Sequence, residues 1–198
     1  MNNLLVYVIA YFIGCLSPSY IFSKIFRHID IRDYGSGNAG TTNVIRVNGI
    51  KLGLLVFIVD FCKGALTACF TQKYFGTMTA LIASVLVIMG HIYPVFLGFR
   101  GGKGVACSLG VFFCLFFREM SICAAIGLIL LYIMRYVSLS SMVTLFSVNV
   151  LLIIEKTDPR YIACTFFIFA LVTYNHRSNI KRLRNHEENK FSLKSKKQ

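Results

Sequence analysis

The sequence predicts an all-α integral membrane protein with about seven transmembrane helices, and three observations indicate this class. Of its 198 residues, 56% are hydrophobic. The mean hydropathy of +0.67 is well above the soluble average. Apolar segments also follow one another with only short polar breaks. A helix needs roughly 20 apolar residues to cross about 30 Å of hydrocarbon, and about seven segments approach that length.

The predicted spans differ in length. They cover residues 4–26, 52–71, 77–99, 105–117, 121–134, 139–154 and 161–174. No basic residue precedes the first apolar run, so we expect a retained helix and not a cleavable signal peptide. The fourth and fifth spans are short, and we expect them to tilt little, to lie in thinned bilayer or to form a helical hairpin. Residues 1–190 are predicted to form one membrane domain, followed by a basic, disordered tail at 191–198.

The distribution of positive charge predicts the orientation of the chain. Most of the 21 Lys and Arg residues lie in residues 24–51, at 100, 103 and 135, and after residue 174. The loops of the other side carry Lys73, Arg118, Lys156 and Arg160. Because cytoplasmic loops are enriched in Lys and Arg, we expect the N-terminus outside and the C-terminus in the cytoplasm.

The composition argues against several other kinds of site. The net charge of +13 could suggest a nucleic-acid partner, but no aromatic and basic soluble module accompanies the charge. The seven cysteines lie mostly in apolar runs, and none forms a CxxC pair. Neither a disulfide framework nor a zinc site is therefore predicted. No cluster of His, Asp or Glu at ligand spacing indicates another metal, and we expect no cofactor.

The loop that follows the first span has the composition of an anion-binding loop. Residues 30–46 are dense in glycine, hydroxyl and amide groups. Glycines permit the tight turns that aim backbone N–H groups at an anion, while Thr41 and neighbouring side chains add donors. A solvated connector is the competing interpretation for a loop of this kind. The candidate binding residues are Ser36, Gly37, Asn38, Thr42, Asn43 and Arg46.

A second glycine-rich segment follows the third span. In residues 90–105, Gly-Gly-Lys-Gly directly precedes an apolar helix. Helix N-termini bind anions through unsatisfied N–H groups, and a lysine there adds a full positive charge. The GxxxxGK[ST] spacing is absent, so a nucleotide triphosphatase is not indicated. The candidate binding residues are Gly101, Gly102, Lys103 and Gly104.

Two further segments on the same predicted side carry polar groups. A helix at residues 174–183 would place His176, Asn179 and Leu183 on one face, although a basic, snorkelling helix end would explain this segment alone. Ser138, Ser140 and Ser141 begin the sixth span, where capping alone could explain them. Three donor-rich segments emerge on the same predicted side of the membrane. Together they indicate a phosphate site more strongly than any one segment does alone.

Ionisable residues also interrupt the second span. Asp60 and Lys63 have helical i, i+3 spacing. Charged groups at membrane depth are costly and usually face a bundle interior or a water-filled cavity. Both a structural ion pair and a functional role are consistent with the sequence.

Two other functions were weighed. His28 and Asp33 have the HxxxxD spacing of the large glycerolipid acyltransferase group, but the soluble α/β scaffold of that group is not visible. A transporter or channel for phosphate-bearing solutes would suit basic loops with charges at membrane depth. Inverted repeats and paired broken helices, which would support a transporter, are not visible in the sequence.

Three segments together resemble a known family. They are Gly-Ser-Gly-Asn-x-Gly-x-Thr-Asn-x-x-Arg, Gly-His-x-x-Pro-Val-Phe-x-x-Phe-Arg-Gly-Gly-Lys-Gly-Val-Ala, and His-Arg-x-Asn-Ile-x-Arg-Leu. They occupy residues 35–46, 90–106 and 176–183. Their order and spacing, over nearly the whole chain, look like those of the bacterial acyl-phosphate:glycerol-3-phosphate acyltransferases.

The resemblance implies a seven-helix enzyme of the bacterial plasma (inner) membrane whose active site faces the cytoplasm. Such an enzyme transfers an acyl group from a long-chain acyl phosphate to the 1-hydroxyl of glycerol 3-phosphate, giving lysophosphatidic acid and phosphate. No acyl-CoA or acyl-carrier-protein donor is implied, and we expect a monomer among membrane lipids. By motif position, Gly102 would lie at the acyl-phosphate site, and the residues that bind the polar groups would be Ser36, Arg46, Lys103, Ser141, His176 and Asn179.

The chain departs from the family pattern in two places. The family commonly has a glycine after Arg182-Leu183 and a glutamate two residues further on, where this chain has His186 and Glu188. Cys107 also stands where threonine is common. The first departure puts the geometry of the C-terminal segment in doubt.

The motif loops offer no Ser-His-Asp triad, and the cysteines lie in apolar settings. The catalytic candidates are therefore Lys103, Arg46 and His91. An acyl phosphate is already activated, so the protein would mainly align the hydroxyl with the carbonyl carbon and stabilise the oxyanion. The hydroxyl proton could go to His91, to His176 or to a substrate phosphate oxygen, and we favour the phosphate.

Overall fold

The computed structural model describes residues 3–191, and every regular element in this range is helical. The chain divides into two compact units, of which the first ends at Leu115 and the second begins at Phe116. Within the described residues, five segments are long and apolar enough to cross a membrane: Asn3–Arg27, Ile50–Phe75, Thr77–Leu97, Phe117–Met134 and Val137–Ile154. This architecture agrees with the predicted all-α membrane class.

Six helices form the first unit. They are α1 (Asn3–Cys15), α2 (Pro18–Arg27), α3 (Thr41–Asn48), α4 (Ile50–Phe75), α5 (Thr77–Ile92) and α6 (Val105–Leu115). The predicted span 4–26 therefore consists of two helices. Proline opens α2 because it lacks an N–H group, which is tolerated in a first helical turn. The Gly14 carbonyl, four residues before Pro18, instead accepts a hydrogen bond from Lys63 Nζ of α4 at 3.2 Å.

Glycines allow α4 and α6 to approach each other closely. A side chain on Gly64 would collide with the backbone carbonyl of Cys107, and one on Gly110 would collide with that of Phe61. Lipid does not drive transmembrane helices together as water would, so close van der Waals contact is a main source of helix association. These glycines therefore fix the position of α6 along α4.

Four helices form the second unit. They are α7 (Phe117–Met134), α8 (Val137–Ile154), α9 (Pro159–Asn175) and α10 (Arg177–Arg184). Gly127 of α7 packs against the Thr144 side chain of α8. The Thr165 hydroxyl of α9 donates to Asn149 Oδ1 of α8 at 2.8 Å. Buried hydrogen bonds between helices are favourable in a bilayer, where water cannot serve the same groups.

The ends of most predicted spans lie within a few residues of the ends of the observed helices. The predicted span 121–134 began four residues late, because α7 starts at Phe117. The predicted span 77–99 contains α5 and a separate 3₁₀ turn, Val95–Leu97. Within the predicted tail 191–198, residues 192–198 lie outside the described residues.

The prediction that the cysteines form no disulfide framework was wrong for one pair of cysteines. Cys69 of α4 and Cys114 of α6 form a disulfide, with their Cα atoms 5.7 Å apart. These residues are 45 positions apart in the sequence, and their spacing does not reveal that their helices are neighbours.

Candidate phosphate-binding and catalytic site

Asn43 organises the loop between α2 and α3. Its side chain is only 2% exposed. The amide Nδ2 donates to the carbonyl oxygens of Ile31 at 3.1 Å and Tyr34 at 3.0 Å. Its Oδ1 accepts from the backbone N–H of Ser36 at 2.9 Å. Three backbone groups are thus fixed by one buried amide, so Asn43 shapes the predicted loop with contacts to protein backbone.

Glycines set the turn of this loop. Gly35 has φ +61° and Gly37 has φ +70°, the left-handed region that glycine adopts without strain. The Gly37 N–H donates to the Tyr34 carbonyl at 3.0 Å. Asn38 is half-buried beyond this turn, and Ser36 is exposed. The turn therefore leaves the Ser36 hydroxyl at the surface of the loop.

The first turn of α3 presents hydroxyl groups. Thr41 and Thr42 open the helix, and both are half-buried. The Thr41 Oγ1 atom is buried and has no hydrogen-bond partner among residues 3–191. Buried hydroxyls are usually hydrogen-bonded, and a helix N-terminus has unsatisfied N–H groups. This turn can therefore donate to an oxyanion.

Two arginines near the loop have different environments. Arg32 binds the Asp30 carboxylate with Nε at 3.0 Å and Nη2 at 2.8 Å, and it donates to the Leu97 carbonyl at 2.7 Å. The hydrogen bonds from Arg32 hold the pKa of Asp30 below its usual value, so this carboxylate stays charged and paired. Arg46 of α3 is half-buried and has no hydrogen bond or ion pair within the described part of the chain. Arg46 is therefore the arginine that can bind a phosphate.

The two glycine-rich segments of the first unit come together. The Ala39 N–H donates to the Gly101 carbonyl at 3.3 Å, and Arg32 reaches Leu97 across the same junction. Gly101 and Gly102 in turn donate to the Ile92 and His91 carbonyls, each at 3.1 Å. The structure therefore joins the first two segments that the sequence analysis singled out.

The Gly-Gly-Lys-Gly segment leads directly into α6. Gly104 has φ +87° and is buried, which permits the sharp entry into the helix at Val105. Lys103 is half-buried between this glycine and Gly102. Its position at the start of α6 places its charge beside the unsatisfied N–H groups of that helix.

A buried charged cluster lies next to this segment. Lys63 Nζ is 2.7 Å from Asp60 Oδ1 and 2.9 Å from His91 Nδ1, and His91 Nδ1 is 3.1 Å from Asp60 Oδ1. All three side chains are buried. Asp60 and Lys63 of the second span therefore form an ion pair, and His91 of α5 is the third member of the cluster. The sequence could not show this contact, since His91 lies 31 residues beyond Asp60.

In the second unit, Glu188 gathers the polar residues. Its Oε1 accepts from Asn179 Nδ2 at 2.6 Å and from the Ser138 hydroxyl at 2.8 Å. Its Oε2 accepts from Arg182 Nε at 2.8 Å. Sequence analysis noted Glu188 only as part of a departure from the family pattern. The structure shows that its carboxylate joins α8 to α10.

The backbone conformation of His186 allows the chain to turn so that Glu188 reaches α10. It has φ +58°, a conformation that glycine adopts more readily than other residues. The family preference for glycine in this segment thus has a conformational reason. The chain makes the turn with histidine and still delivers Glu188 to Asn179.

His176 and Ser141 have helix-internal contacts. His176 is 3% exposed, and its Nδ1 lies 2.8 Å from the Val172 carbonyl oxygen. A carbonyl oxygen can only accept, so Nδ1 carries a hydrogen. The Ser141 hydroxyl donates to the Val137 carbonyl at 2.7 Å, one turn earlier in α8. Ser138, and not Ser141, is the serine that contacts Glu188.

The HxxxxD interpretation has no support in the geometry. His28 is exposed and ends α2 in a left-handed conformation with φ 57°. Asp33 is also exposed, and no hydrogen bond or ion pair joins these two side chains within residues 3–191. The structure thus shows no His-Asp pair at these two positions.

We expect the second unit to lose stability at low pH through Glu188. Burial raises the pKa of this carboxyl, but hydrogen bonds from Asn179, Arg182 and Ser138 outweigh burial and leave the pKa below its ordinary value. A carboxyl with a lowered folded-state pKa stabilises the fold above its unfolded pKa, and this contribution is lost as the pH falls through the folded pKa.

Unfolding midpoints measured between pH 7 and pH 3 would check this. The midpoint of the wild type should fall over the acidic part of this range, and Glu188→Gln should flatten that dependence while lowering the midpoint at pH 7. The exposed Glu187→Gln is the matched control and should keep the wild-type profile. A Glu188→Gln profile that parallels the wild type would contradict the assignment.

Comparison with known proteins shows to which family the chain is similar. A glycerol-3-phosphate acyltransferase family model matches residues 4–186. A glycerol-3-phosphate acyltransferase of Alkaliphilus metalliredigens is 43% identical, covering 98% of this chain and 99% of the relative. One of Clostridioides difficile is 39% identical, covering 98% and 97%.

Solved structures agree with the sequence relatives. The glycerol 3-phosphate form of PlsY, an integral membrane glycerol 3-phosphate acyltransferase, matches with a TM-score of 0.92 and 36% identity over 96% of both chains. Its lysophosphatidic acid form matches with a TM-score of 0.89 and 35% identity, again over 96% of both chains. The chain therefore belongs to the glycerol-3-phosphate acyltransferase family.

Proposed function

We propose that the protein transfers a fatty acyl group from a long-chain acyl phosphate to the 1-hydroxyl of sn-glycerol 3-phosphate. The products are lysophosphatidic acid and inorganic phosphate. The observation that carries this proposal is the similarity to the two forms of PlsY, one with glycerol 3-phosphate and one with lysophosphatidic acid. These two molecules are the acceptor and the product of the proposed reaction.

The charges of the first unit suit substrates that both carry phosphate. Asp30 is paired with Arg32, and Asp60 is paired with Lys63. The positive charge of Arg46 is therefore not opposed by these carboxylates, and Lys103 adds a second cation near the start of α6. Together with N–H groups at the starts of α3 and α6, these cations would bind phosphate oxygens. The proposed ligands in the loops are Ser36, Gly37, Asn38, Thr42, Arg46, Gly101, Gly102, Lys103 and Gly104.

The second unit also carries polar side chains that its own contacts hold in place. Asn179 donates one of its hydrogens to Glu188 Oε1 at 2.6 Å, so its amide is held in one orientation. His176 is held by the Val172 carbonyl. Because such partners fix the side chains in advance, little freedom is lost when substrate binds. His176, Asn179 and Ser141 are the proposed ligands here.

The first unit also offers a surface for a hydrocarbon chain. A groove of about 590 Å³ runs between α1 and α4, with a lining that is almost entirely apolar. It includes Ile9, Ile13, Val59, Leu66 and Phe70, and Lys63 lies at its edge. An acyl chain entering sideways from the bilayer would bury apolar surface in this groove.

The chemistry needs no covalent acyl-enzyme. The glycerol hydroxyl oxygen attacks the carbonyl carbon of the acyl phosphate, and the bond from that carbon to the phosphate oxygen breaks. The hydroxyl proton goes to a phosphate oxygen, so phosphate leaves as its monohydrogen form. Lys103 and nearby N–H groups stabilise the negative charge that develops on the carbonyl oxygen. Alignment of the two substrates supplies much of the acceleration.

Phosphate release by the purified protein tests this reaction. Palmitoyl phosphate is supplied with and without glycerol 3-phosphate, and palmitoyl-CoA is supplied in a parallel reaction. We expect phosphate release that depends on both substrates, formation of lysophosphatidic acid and no product from palmitoyl-CoA. Turnover with the thioester alone would overturn the donor assignment, and binding of glycerol phosphate without turnover would favour a transporter.

We also propose seven crossings of the bacterial inner membrane, with the N-terminus outside and the glycine-rich loops in the cytoplasm. The excess of Lys and Arg in the segment from α2 to α4 and after α9 supports this orientation. Single cysteines placed at Lys51 and Lys73, in a variant without the native thiols, would report it. A membrane-impermeant thiol reagent should label position 73 in intact cells and position 51 only after lysis. The reverse pattern would exclude this orientation.

A further inference from the structure

Asp60, Lys63 and His91 form a buried cluster for which the proposed reaction provides no role. Asp60 and Lys63 lie in the middle of α4, and His91 lies in the last turn of α5. Charged groups inside membrane segments are costly, so they are usually paired and often mark a functional site. The contacts around the cluster show which part of the site it can influence.

Lys63 fixes the side of the cluster that faces α1. An ammonium group has three hydrogens to donate and accepts none. Lys63 Nζ lies 2.8 Å from the Leu16 carbonyl, 3.2 Å from the Gly14 carbonyl and 2.7 Å from Asp60 Oδ1. His91 Nδ1 is also 2.9 Å from Lys63 Nζ, so four atoms surround an ammonium group that has three hydrogens.

A carboxylate can only accept, so a hydrogen bond between Asp60 Oδ1 and His91 Nδ1 takes its hydrogen from the histidine. The three oxygen atoms can take the Lys63 hydrogens, and His91 Nδ1 then donates to Asp60 Oδ1 across 3.1 Å. The ring is thus held by its Nδ1 edge, and its opposite edge, Cε1 and Nε2, points away from the cluster. The orientation of this opposite edge is set by Asp60 and Lys63.

The opposite edge of the ring lies against Gly102. A Cβ atom on Gly102 would collide with His91 Nε2 and would lie 2.8 Å from His91 Cε1. It would also lie 2.9 Å from the Ala39 carbonyl oxygen. Gly101 is different, because a Cβ there would meet the backbone oxygens of His91 and Ile92. A side chain at position 102 would thus meet the His91 ring most closely, whereas one at position 101 would meet backbone most closely.

We propose that His91, held by Asp60 and Lys63, is a positioning residue for the Gly-Gly-Lys segment. Its ring edge fills the space beside Gly102 and so sets the backbone path that presents Lys103. Asp60 and Lys63 act on the Gly-Gly-Lys segment through His91. This proposal rests on the proposed function only for the effect on turnover, since the fit between His91 and Gly102 is a property of the fold.

A pair of substitutions at His91 separates its two edges. His91→Asn places an amide nitrogen near the Nδ1 position, so it keeps a donor for Asp60, but it lacks the Cε1 and Nε2 atoms. His91→Gln places its amide nitrogen near the Nε2 position, so it keeps an atom beside Gly102 but loses the Nδ1 donor. Gly102→Ala is combined with each of them, and Gly101→Ala serves as the matched control.

Kinetic constants for both substrates and unfolding midpoints are measured for each variant. With His91 present, Gly102→Ala should raise the KM of a phosphate-bearing substrate at least about tenfold and lower the midpoint, with a smaller change in kcat. In the His91→Asn protein the same change should raise KM less than about threefold, as expected for side chains in direct contact. In the His91→Gln protein the tenfold effect should remain. Gly101→Ala should be equally harmful in all three proteins.

Several outcomes would overturn this proposal. The first is a Gly102→Ala protein with the KM and the unfolding midpoint of the wild type. The second is an effect of Gly102→Ala on KM that is as large in the His91→Asn protein as in the wild type. The third is a smaller effect of Gly101→Ala when His91→Asn is also present. The unfolding midpoints test the contact even if no acyl transfer occurs, so a wrong reaction is distinguishable from a wrong positioning role. If Gly102→Ala prevents folding, recovery of folded protein by His91→Asn and not by His91→Gln is the expected result.

Discussion

Lys103→Ala should lower kcat/KM for acyl transfer at least about 100-fold, because removal of one well-placed group that stabilises an oxyanion typically costs that much. Lys103 lies between two glycines at the start of α6, where its charge adds to the N–H groups of the helix end. In the proposed reaction it faces the phosphate of a substrate or the developing carbonyl oxyanion. Arg46→Ala should be similarly harmful.

The measurement is the formation of lysophosphatidic acid by purified variants at several concentrations of each substrate. Lys103→Arg keeps the charge but changes the donor geometry, so it should retain more activity than the alanine variant. Lys73→Ala, an exposed lysine at the end of α4, is the control and should keep wild-type activity. Full activity of a folded Lys103→Ala or Arg46→Ala protein would refute the site.

Lys63→Met should destabilise the protein by about 3–5 kcal/mol, because breaking a buried pair leaves one charge uncompensated. Asp60 is 1% exposed, and Lys63 is its 2.7 Å partner. The Gly14 and Leu16 carbonyls would also lose their donor. No water in the bilayer core could replace these hydrogen bonds.

The double variant Asp60→Asn with Lys63→Met is the informative comparison. It removes both charges while the amide oxygen can still accept from His91, so it should recover at least half of the lost stability. Lys73→Met should change stability by no more than about 0.5 kcal/mol, as expected for a surface position. The measurement is reversible unfolding in mixed detergent micelles. A double variant less stable than Lys63→Met would show that the uncompensated Asp60 charge is not the cause of the lost stability.

The lengths of the apolar runs predicted the helices of the membrane region well. The hydrophobic requirement of a bilayer acts on the local sequence, so spans such as 52–71 and 139–154 agree with α4 and α8. The first span is divided at Pro18, and proline indicates such a division because it has no N–H group. The apolar run continues across Pro18, so its length alone did not predict the division. Helix ends depend on individual backbone groups, which composition does not describe.

The polar residues of the site could be recognised by type, but their partners could not. Asn43 belonged to the predicted loop, yet its role in holding three backbone groups depends on the folded path of residues 31–36. The contact of His91 with Asp60 and the disulfide between Cys69 and Cys114 join distant parts of the chain. Sequence periodicity predicts faces of helices and not which faces meet.

The short helix α6 has a consequence for lipids of different length. Its 11 residues rise about 16 Å, roughly half of the hydrocarbon thickness. It therefore cannot follow a change in bilayer thickness as a full span does by tilting. Gly64 and Gly110 fix its depth against α4, and Lys103 stands at its first turn. The level of Lys103 is thus set by packing against α4 and does not require α6 to match the thickness of the bilayer.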